Sequence, residues 1–414
     1  MLVSALVIGL ISPIAMIFSI FGLWVNPSKW KFYLLLLVYS IFVVSYCYVP
    51  MEGSNSDLMR YLPEVEQYGK LTLQEAFHYH NETLYFRDIL FWLFGHLGMP
   101  RLAPAFTTAT VYGIAGYLTC DVAEQYHRRE YIGFILLIQS MMLPFVSIIC
   151  NVRNIFGLSL IVLAAYLDII KKNHKPYVWV LYLCGILMHL SCFVLVIFRL
   201  LSRFAKSLFE VVLIIPLVFS SIIIILYQYR EKFRIGGALG DTIQTIIRKL
   251  YNYLTNTDAA YSIVSTTHRS FILNRWIMTT GMVLCIVLIY YTIRINKKVY
   301  KGNLQFNAFA GCIASLTLAN NVFSMPNYWR FAAVFYVLFG VIYIPIYSKK
   351  NKMPILIQLD MYICILIAPI GLLLQFWDTR HYDFMGWFVR CFQTDYLTML
   401  YEILIGVKNW LHVL

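Results

Sequence analysis

Charge is what this chain has least of. Asp, Glu, Lys and Arg together supply 13% of its 414 residues, against roughly 25% in soluble domains. So little polar sequence excludes an ordinary soluble enzyme. Acidic residues are the scarcer sign, 20 against 33 Lys and Arg. Signatures of nucleotide and metal chemistry are missing too. There is no GxxxxGK[ST] phosphate loop, no HExxH helix and no GxSxG elbow. No DxD-type pair for a metal–nucleotide-sugar complex falls in a cytoplasmic segment, so neither ATP nor a nucleotide sugar is expected as donor, and no cofactor. The nearest approach to a metal site is His78-Tyr79-His80 beside Glu75 and Glu82; its spacing is weak, and no metal is expected. There is no CxxC among nine cysteines. Most (Cys47, Cys150, Cys184, Cys192, Cys285, Cys312, Cys364) lie inside apolar runs and read as small buried hydrophobes rather than a disulfide framework.

Apolar residues fill the space instead. Hydrophobic residues make up 60% and the mean hydropathy is +0.71. A bilayer accepts that surface, because lipid tails are as apolar as the side chains facing them. Many of the 31 Tyr and 9 Trp sit near the ends of apolar runs, where interfacial belts form. A span needs about 20 apolar residues. Candidate spans are 2–24, 32–50, 102–120, 131–149, 154–170, 177–200, 208–228, 271–293, 304–323, 331–347, 354–376 and 385–407. The first reads as a membrane helix, not a cleaved signal peptide. The expectation is an all-α, polytopic membrane helix bundle of about 11–13 transmembrane or re-entrant helices, forming one domain over 1–414.

Lys and Arg mark the cytoplasmic side, so the net charge of +13 is read loop by loop and not as a nucleic-acid signal. Lys29 and Lys31, Arg128 and Arg129, Lys171, Lys172 and Lys175, Arg294 to Lys301, and Lys349 to Lys352 are expected inside. Segment 50–83 carries six acids against Arg60 and Lys70 and is expected outside, with the turns at Arg153 and at Asn320–Arg330. Simple crossings invert the second half, so one change of parity is needed between Tyr177 and Ser270. A break near His189 into a re-entrant hairpin supplies it, and implies a cavity there. Segment 84–99 is too short and too charged to cross and reads as an interfacial or half-membrane helix. The long outer segments 50–101 and 229–270 read as ordered lids or a cap.

Ionisable residues at membrane depth are candidates for function. Asp57 and Arg60, three apart on a helix and followed by Tyr61, read as a carboxylate base beside a phosphate-binding Arg; the plainer reading is an N-cap Asp in a surface ion pair. Arg153, followed by Asn154, sits in a short outer turn where topology disfavours it; phosphate suits its guanidinium fork, and snorkelling to headgroups is the plainer reading. His189 is the only His deep in an apolar run: either a proton acceptor or hydrogen-bond donor to substrate, or a core histidine bridging helices. Asn320, Asn321, Tyr328, Trp329 and Arg330 combine amides, aromatic faces and a cation, as carbohydrate sites do; interfacial anchoring is the plainer reading of Tyr328 and Trp329.

The order of these features resembles the EpsG/Wzy group of bacterial polysaccharide polymerases: Asp57 with Arg60-Tyr61, Arg153-Asn154, Lys171-Lys172, His189-Leu190-Ser191, and Arg330 opening a late span. The series covers most of the chain. It departs where the family often has Arg-Gln (here Arg153-Asn154) and an aromatic before the His (here Met188). The resemblance implies a GT-C-like bundle in the bacterial inner membrane, with its active site facing the periplasm. It implies an enzyme joining oligosaccharide repeat units carried on undecaprenyl diphosphate, with a chain-length regulator and a flippase as partners besides membrane lipid. Arg60, Arg153 and Arg330 then bind diphosphate, Asp57 or His189 is the base, and Tyr61, Asn154, Asn320, Asn321, Tyr328 and Trp329 bind sugar. Rival readings are a lipid-linked oligosaccharide flippase, an O-antigen ligase, a membrane acyltransferase and a purely structural subunit.

Overall fold

The computed structural model describes residues 15–50, 57–80, 84–228, 244, 269–290, 302–322, 328–346, 355–377, 383–394 and 396–413. All of the expected lid or cap at 229–270 except residues 244, 269 and 270, and most of the basic loops at 291–301 and 347–354, lie outside them. The described residues form nineteen α-helices and no strand. In order these are α1 (Ala15–Val25), α2 (Trp30–Tyr46), α3 (Asp57–Tyr68), α4 (Leu73–His78), α5 (Tyr85–His96), α6 (Leu102–Gln125), α7 (Ile132–Met142), α8 (Phe145–Cys150), α9 (Asn154–Ile169) and α10 (Pro176–Met188). There follow α11 (Phe193–Leu201), α12 (Ala205–Gln228), α13 (Arg269–Tyr290), α14 (Leu304–Val322), α15 (Tyr328–Val337), α16 (Phe339–Tyr343), α17 (Ile355–Trp377), α18 (Phe384–Gln393) and α19 (Tyr396–Val413).

Every candidate span contains helix, but four are broken among the described residues. Between α7 and α8, Pro144 supplies no N–H, and Leu143 before it is extended (φ −67°, ψ 120°). The Tyr112 hydroxyl donates to the Leu143 carbonyl at 3.3 Å. Between α15 and α16 the helix slips at Leu338. There the buried Gln139 amide donates to the carbonyls of Tyr336 (2.9 Å) and Val337 (3.0 Å), while its own oxygen accepts from Thr119 (2.8 Å). The 177–200 stretch breaks at His189, whose backbone is extended (φ −162°, ψ 131°). The 385–407 stretch breaks at Thr394, also extended (φ −87°, ψ 102°).

At His189 the chain reverses. The Asp168 carboxylate, near the end of α9, meets Tyr182 of α10 at 3.4 Å and Arg199 of α11 at 2.5 Å. His189, between those two helices, lies at the other end of α9, where Cys192 Sγ is 4.0 Å from the Asn154 carbonyl. Both limbs of this hairpin therefore run along α9. Close approach comes from Gly157 and Gly185: a Cβ on either would sit 2.8–2.9 Å from the other's carbonyl oxygen, so the backbones touch as small-residue helix contacts allow.

The helix from Pro27 to Tyr46, α2 with its first turn, is long and apolar enough to cross a membrane, and five shorter apolar helical stretches accompany it among the described residues. The outer surface is greasy: Phe21, Leu35, Trp179, Ile214, Leu366 and Leu404 are all exposed.

An unsatisfied buried backbone carbonyl costs about 1–3 kcal/mol. Gln139→Leu removes the partner of two carbonyls and a hydroxyl. It is expected to lower the unfolding free energy in detergent by at least about 1–3 kcal/mol. A change within about 0.5 kcal/mol, the range of neutral surface substitutions, would contradict this account of the α15–α16 break.

Candidate functional site

The site grows from one ring. Tyr61 on α3 is buried, and two cations flank it. The guanidinium carbons of Arg60 and Arg153 lie 5.1 and 4.8 Å from its ring centroid, within cation–π range. Its hydroxyl accepts from Arg60 Nη2 at 3.3 Å and from Arg153 Nε at 3.2 Å. Arg60 also pairs with Asp57, one turn earlier, at 3.2 Å. That pair is largely exposed and adds little to stability; it is the surface pair of the plainer sequence reading. It also ties Asp57 through Arg60 and Tyr61 to Arg153.

Arg153 opens α9, just after α8 and the Pro144 break. Asn151, in the same turn, donates its amide to the Ser147 carbonyl at 2.8 Å. That bond turns the Asn151 oxygen towards Arg330, whose Nε donates to it at 3.3 Å. Arg330 stands in the first turn of α15. All three sequence-predicted guanidiniums thus have oxygen acceptors, Arg60 and Arg153 at Tyr61 and Arg330 at Asn151.

His189 stands within electrostatic reach of the guanidiniums of Arg330, Arg153 and Arg87. Its Nδ1 accepts the Ser191 amide at 3.2 Å and lies 2.7 Å from the Ser191 hydroxyl. An accepting Nδ1 leaves the neutral ring with its proton on Nε2. Asn154, next to Arg153, is buried, and its Oδ1 accepts no hydrogen bond among the described residues.

Arg87 was not among the sequence candidates. It sits on α5 and is 1% exposed, as is its neighbour Asp88. Arg87 Nε and Nη2 reach Asp88 Oδ1 at 2.8 and 2.7 Å. The Tyr68 hydroxyl donates to the same oxygen at 2.7 Å. The available signal was an adjacent Arg-Asp pair inside an apolar run, which fits no interfacial helix comfortably. Asn151 and Ser191 were likewise missed; short polar residues at a helix break carry no signal of their own.

The remaining candidates fall at the same end or elsewhere. Asn320 and Asn321 lie in the last turn of α14, and Tyr328 and Trp329 open α15 beside Arg330; their side chains are outside the described part. The described residues of the weak metal pattern have other partners, and Glu82 lies outside the described residues. Glu75 forms a capping box with Thr72, whose backbone N–H and hydroxyl hold the carboxylate below its ordinary range. His80 reaches Glu64 at 2.9 Å, and His78 contacts the Gln74 carbonyl at 2.8 Å.

Four guanidiniums (Arg60, Arg87, Arg153, Arg330) gather here, and two of them pair with carboxylates, Arg60 with Asp57 and Arg87 with Asp88. The far end of α9 is different in kind. There Lys171, Lys172, His174 and Lys175, with Tyr117 and Tyr177, line an open cavity of ≈ 670 Å³. The 16 residues of α9 separate the two ends by about 24 Å.

Comparison with protein-family models, with curated proteins and with solved structures found no match.

Removing one partner of a buried ion pair costs about 3–5 kcal/mol, because the other charge is left behind. Arg87→Ala is expected to lose about that much stability in detergent. The double variant Arg87→Leu/Asp88→Leu should lose markedly less. A single variant losing under about 1 kcal/mol, the range of exposed pairs, would show that the pair is hydrated.

Proposed function

We propose that this chain is an integral membrane glycosyltransferase of the EpsG/Wzy kind. It joins oligosaccharide repeat units carried on undecaprenyl diphosphate at the periplasmic face of the bacterial inner membrane. The observation that carries the reading is the charge of the site. Arg87, Arg153 and Arg330 bear on one buried imidazole, and Arg60 and Arg153 flank one phenol ring. A sugar–diphosphate–prenyl diester carries two negative charges. Guanidinium forks match phosphate oxygens bidentately.

The greasy exterior supports a GT-C-like bundle in lipid. The length of α9, about 24 Å, is close to the roughly 30 Å hydrocarbon core. That length supports a reading with Arg153 at one membrane face and the Lys171–Lys175 loop at the other. Basic loops stay cytoplasmic, so the site faces the periplasm.

In the reaction, an acceptor sugar hydroxyl attacks the anomeric carbon of the donor glycan. The bond from that carbon to the phosphate oxygen breaks, and prenyl diphosphate leaves with the electron pair. The three guanidiniums stabilise the charge that develops on the leaving oxygen. No nucleotide is needed, because the diphosphate is the activated leaving group. Two residues compete for the acceptor's proton. His189 has its Nδ1 occupied by the Ser191 amide and cations around it, which suits a neutral donor from Nε2 to the diphosphate. Asp57 is left as the base. Asn154, with its buried free acceptor oxygen, suits a sugar hydroxyl; Tyr61, Asn320, Asn321, Tyr328 and Trp329 complete the sugar-binding set at this end.

The test is genetic. Deleting the gene should leave single repeat units on the final carrier, and wild type should restore a ladder on a gel. Arg153→Ala and Arg330→Ala, at matched protein levels, should not. Losing one such charged contact is expected to cut polymerisation about 10²–10³-fold, the scale of a lost oxyanion-type donor. Asp57→Asn should abolish the ladder, while His189→Gln, which keeps a donor, should retain part of it. Normal ladders from both Arg variants would end the site assignment. If instead the deletion strain exports no repeat unit, the lost step is transport and the flippase reading replaces this one.

A further inference from the structure

Two cysteines from opposite ends of the chain meet at the site end of the bundle. Cys47 caps the C-terminus of α2, and Cys391 lies on α18. Both are buried, at 2% and 7% exposure, and both are free thiols. The two thiol groups stand within interaction reach of each other. Cys47 Sγ also lies 3.7 Å from the carbonyl oxygen of Arg390, the residue before Cys391.

The contact is held on both sides by Trp387, one turn earlier on α18. Its indole N–H donates to the Val44 carbonyl at 2.9 Å. Its ring meets Tyr48 edge-on at 5.8 Å and stacks on Phe145 at 5.6 Å and 15°. Tyr48 and Phe145 in turn border α8, which leads into Asn151 and Arg153; the Tyr48 hydroxyl is 4.0 Å from Cys150 Sγ. A helix that lies across the end of α2 is therefore seated against the element that carries the anion-binding turn. The two sulfurs are presented to each other by a rigid aromatic clamp, not by chance collision of loops.

We propose that Cys47 and Cys391 are a disulfide-forming pair that staples α18 to α2. The bond forms by exchange with a disulfide oxidant, either a small disulfide or an oxidised oxidoreductase of the extracytoplasmic space. One thiolate attacks the oxidant's disulfide to give a mixed disulfide, and the second thiolate displaces it. Two protein thiols are oxidised to one disulfide while the oxidant's disulfide is reduced to two thiols. The location of the pair on an oxidising face rests on the periplasmic orientation argued above; the pairing itself does not. In a reducing compartment the same two side chains remain thiols that pack as hydrophobes, as the sequence suggests for Cys47.

The experiment uses the full chain in native membranes, treated with oxidised glutathione, quenched with N-ethylmaleimide, digested and read by mass spectrometry. The expected result is a Cys47–Cys391 cross-linked peptide that dithiothreitol removes, with alkylation lost at these two positions. Cys391→Ala should restore alkylation of Cys47 under the same treatment, once the protein is unfolded for labelling. Recovery of both thiols fully alkylated in the oxidised wild type would overturn the proposal. So would a cross-link from Cys47 to another cysteine. Neither readout involves polysaccharide, so failure of the polymerase reading would leave this result unchanged, and the reverse holds too.

Discussion

A helix that stops inside a packed bundle frees backbone groups that water cannot reach. How this chain satisfies them decides where its functional residues stand. At Leu143 a tyrosine hydroxyl takes the carbonyl, and the chain can turn through α8 into Asn151 and Arg153. At His189 the side chain itself takes the next amide but one, so the imidazole that ends α10 also fixes the path into α11. At Leu338 Gln139 takes two carbonyls, allowing α15 to hold Arg330 at the site while α16 follows a different course. The breaks are the places where the bundle admits polar side chains without exposing its own backbone.

The second constraint is repulsion. Guanidiniums brought together in a dry interior are costly, and a buried ion pair is weak grounds for stability. This chain spreads the problem over different partners. Arg153 shares a phenol ring and its oxygen with Arg60; Arg330 leans on an amide; Arg87 is matched by a carboxylate that a second phenol steadies. The phenol and the amide carry no charge, so at those two contacts the guanidinium is held without being neutralised. A fold that needed only stability would do better with hydrocarbon at these positions. The polar cluster at the other end of α9, by contrast, pairs Asp168 with both Arg199 and His174.

Much of this was legible in the residues. Apolar runs gave the helices, because their length and composition leave few other folds. The parity of the basic loops called for a break near His189, and the helix breaks there. Arg153, Arg330, Tyr61 and His189 stood out because polar groups are costly where they sit, and the structure brings them together. Asp57 was ambiguous for a physical reason: an i,i+3 acid–base pair looks the same whether it binds a ligand or decorates a surface. Arg87 escaped because its segment, too short and too charged to cross, read as an interfacial or half-membrane helix. The Cys47–Cys391 contact could not be read at all, since nothing in either local sequence encodes a partner at the other end of the chain. The breaks at Leu338 and Thr394 were also invisible, being set by tertiary packing rather than by a proline.

The touching backbones of Gly157 and Gly185 have a bearing on how such a sequence can drift. With no side chains between them, α9 and α10 have no cushion in which to absorb a slip. Each residue of an α-helix advances about 1.5 Å and turns about 100°. One codon gained or lost between Gly185 and His189 would therefore swing the imidazole out of the guanidinium cluster towards lipid, with every flanking hydrophobe still acceptable where it landed. The four-residue interval from that glycine to the histidine is in effect a ruler, and frame-preserving insertions should be far less tolerated there than substitutions of one apolar residue for another.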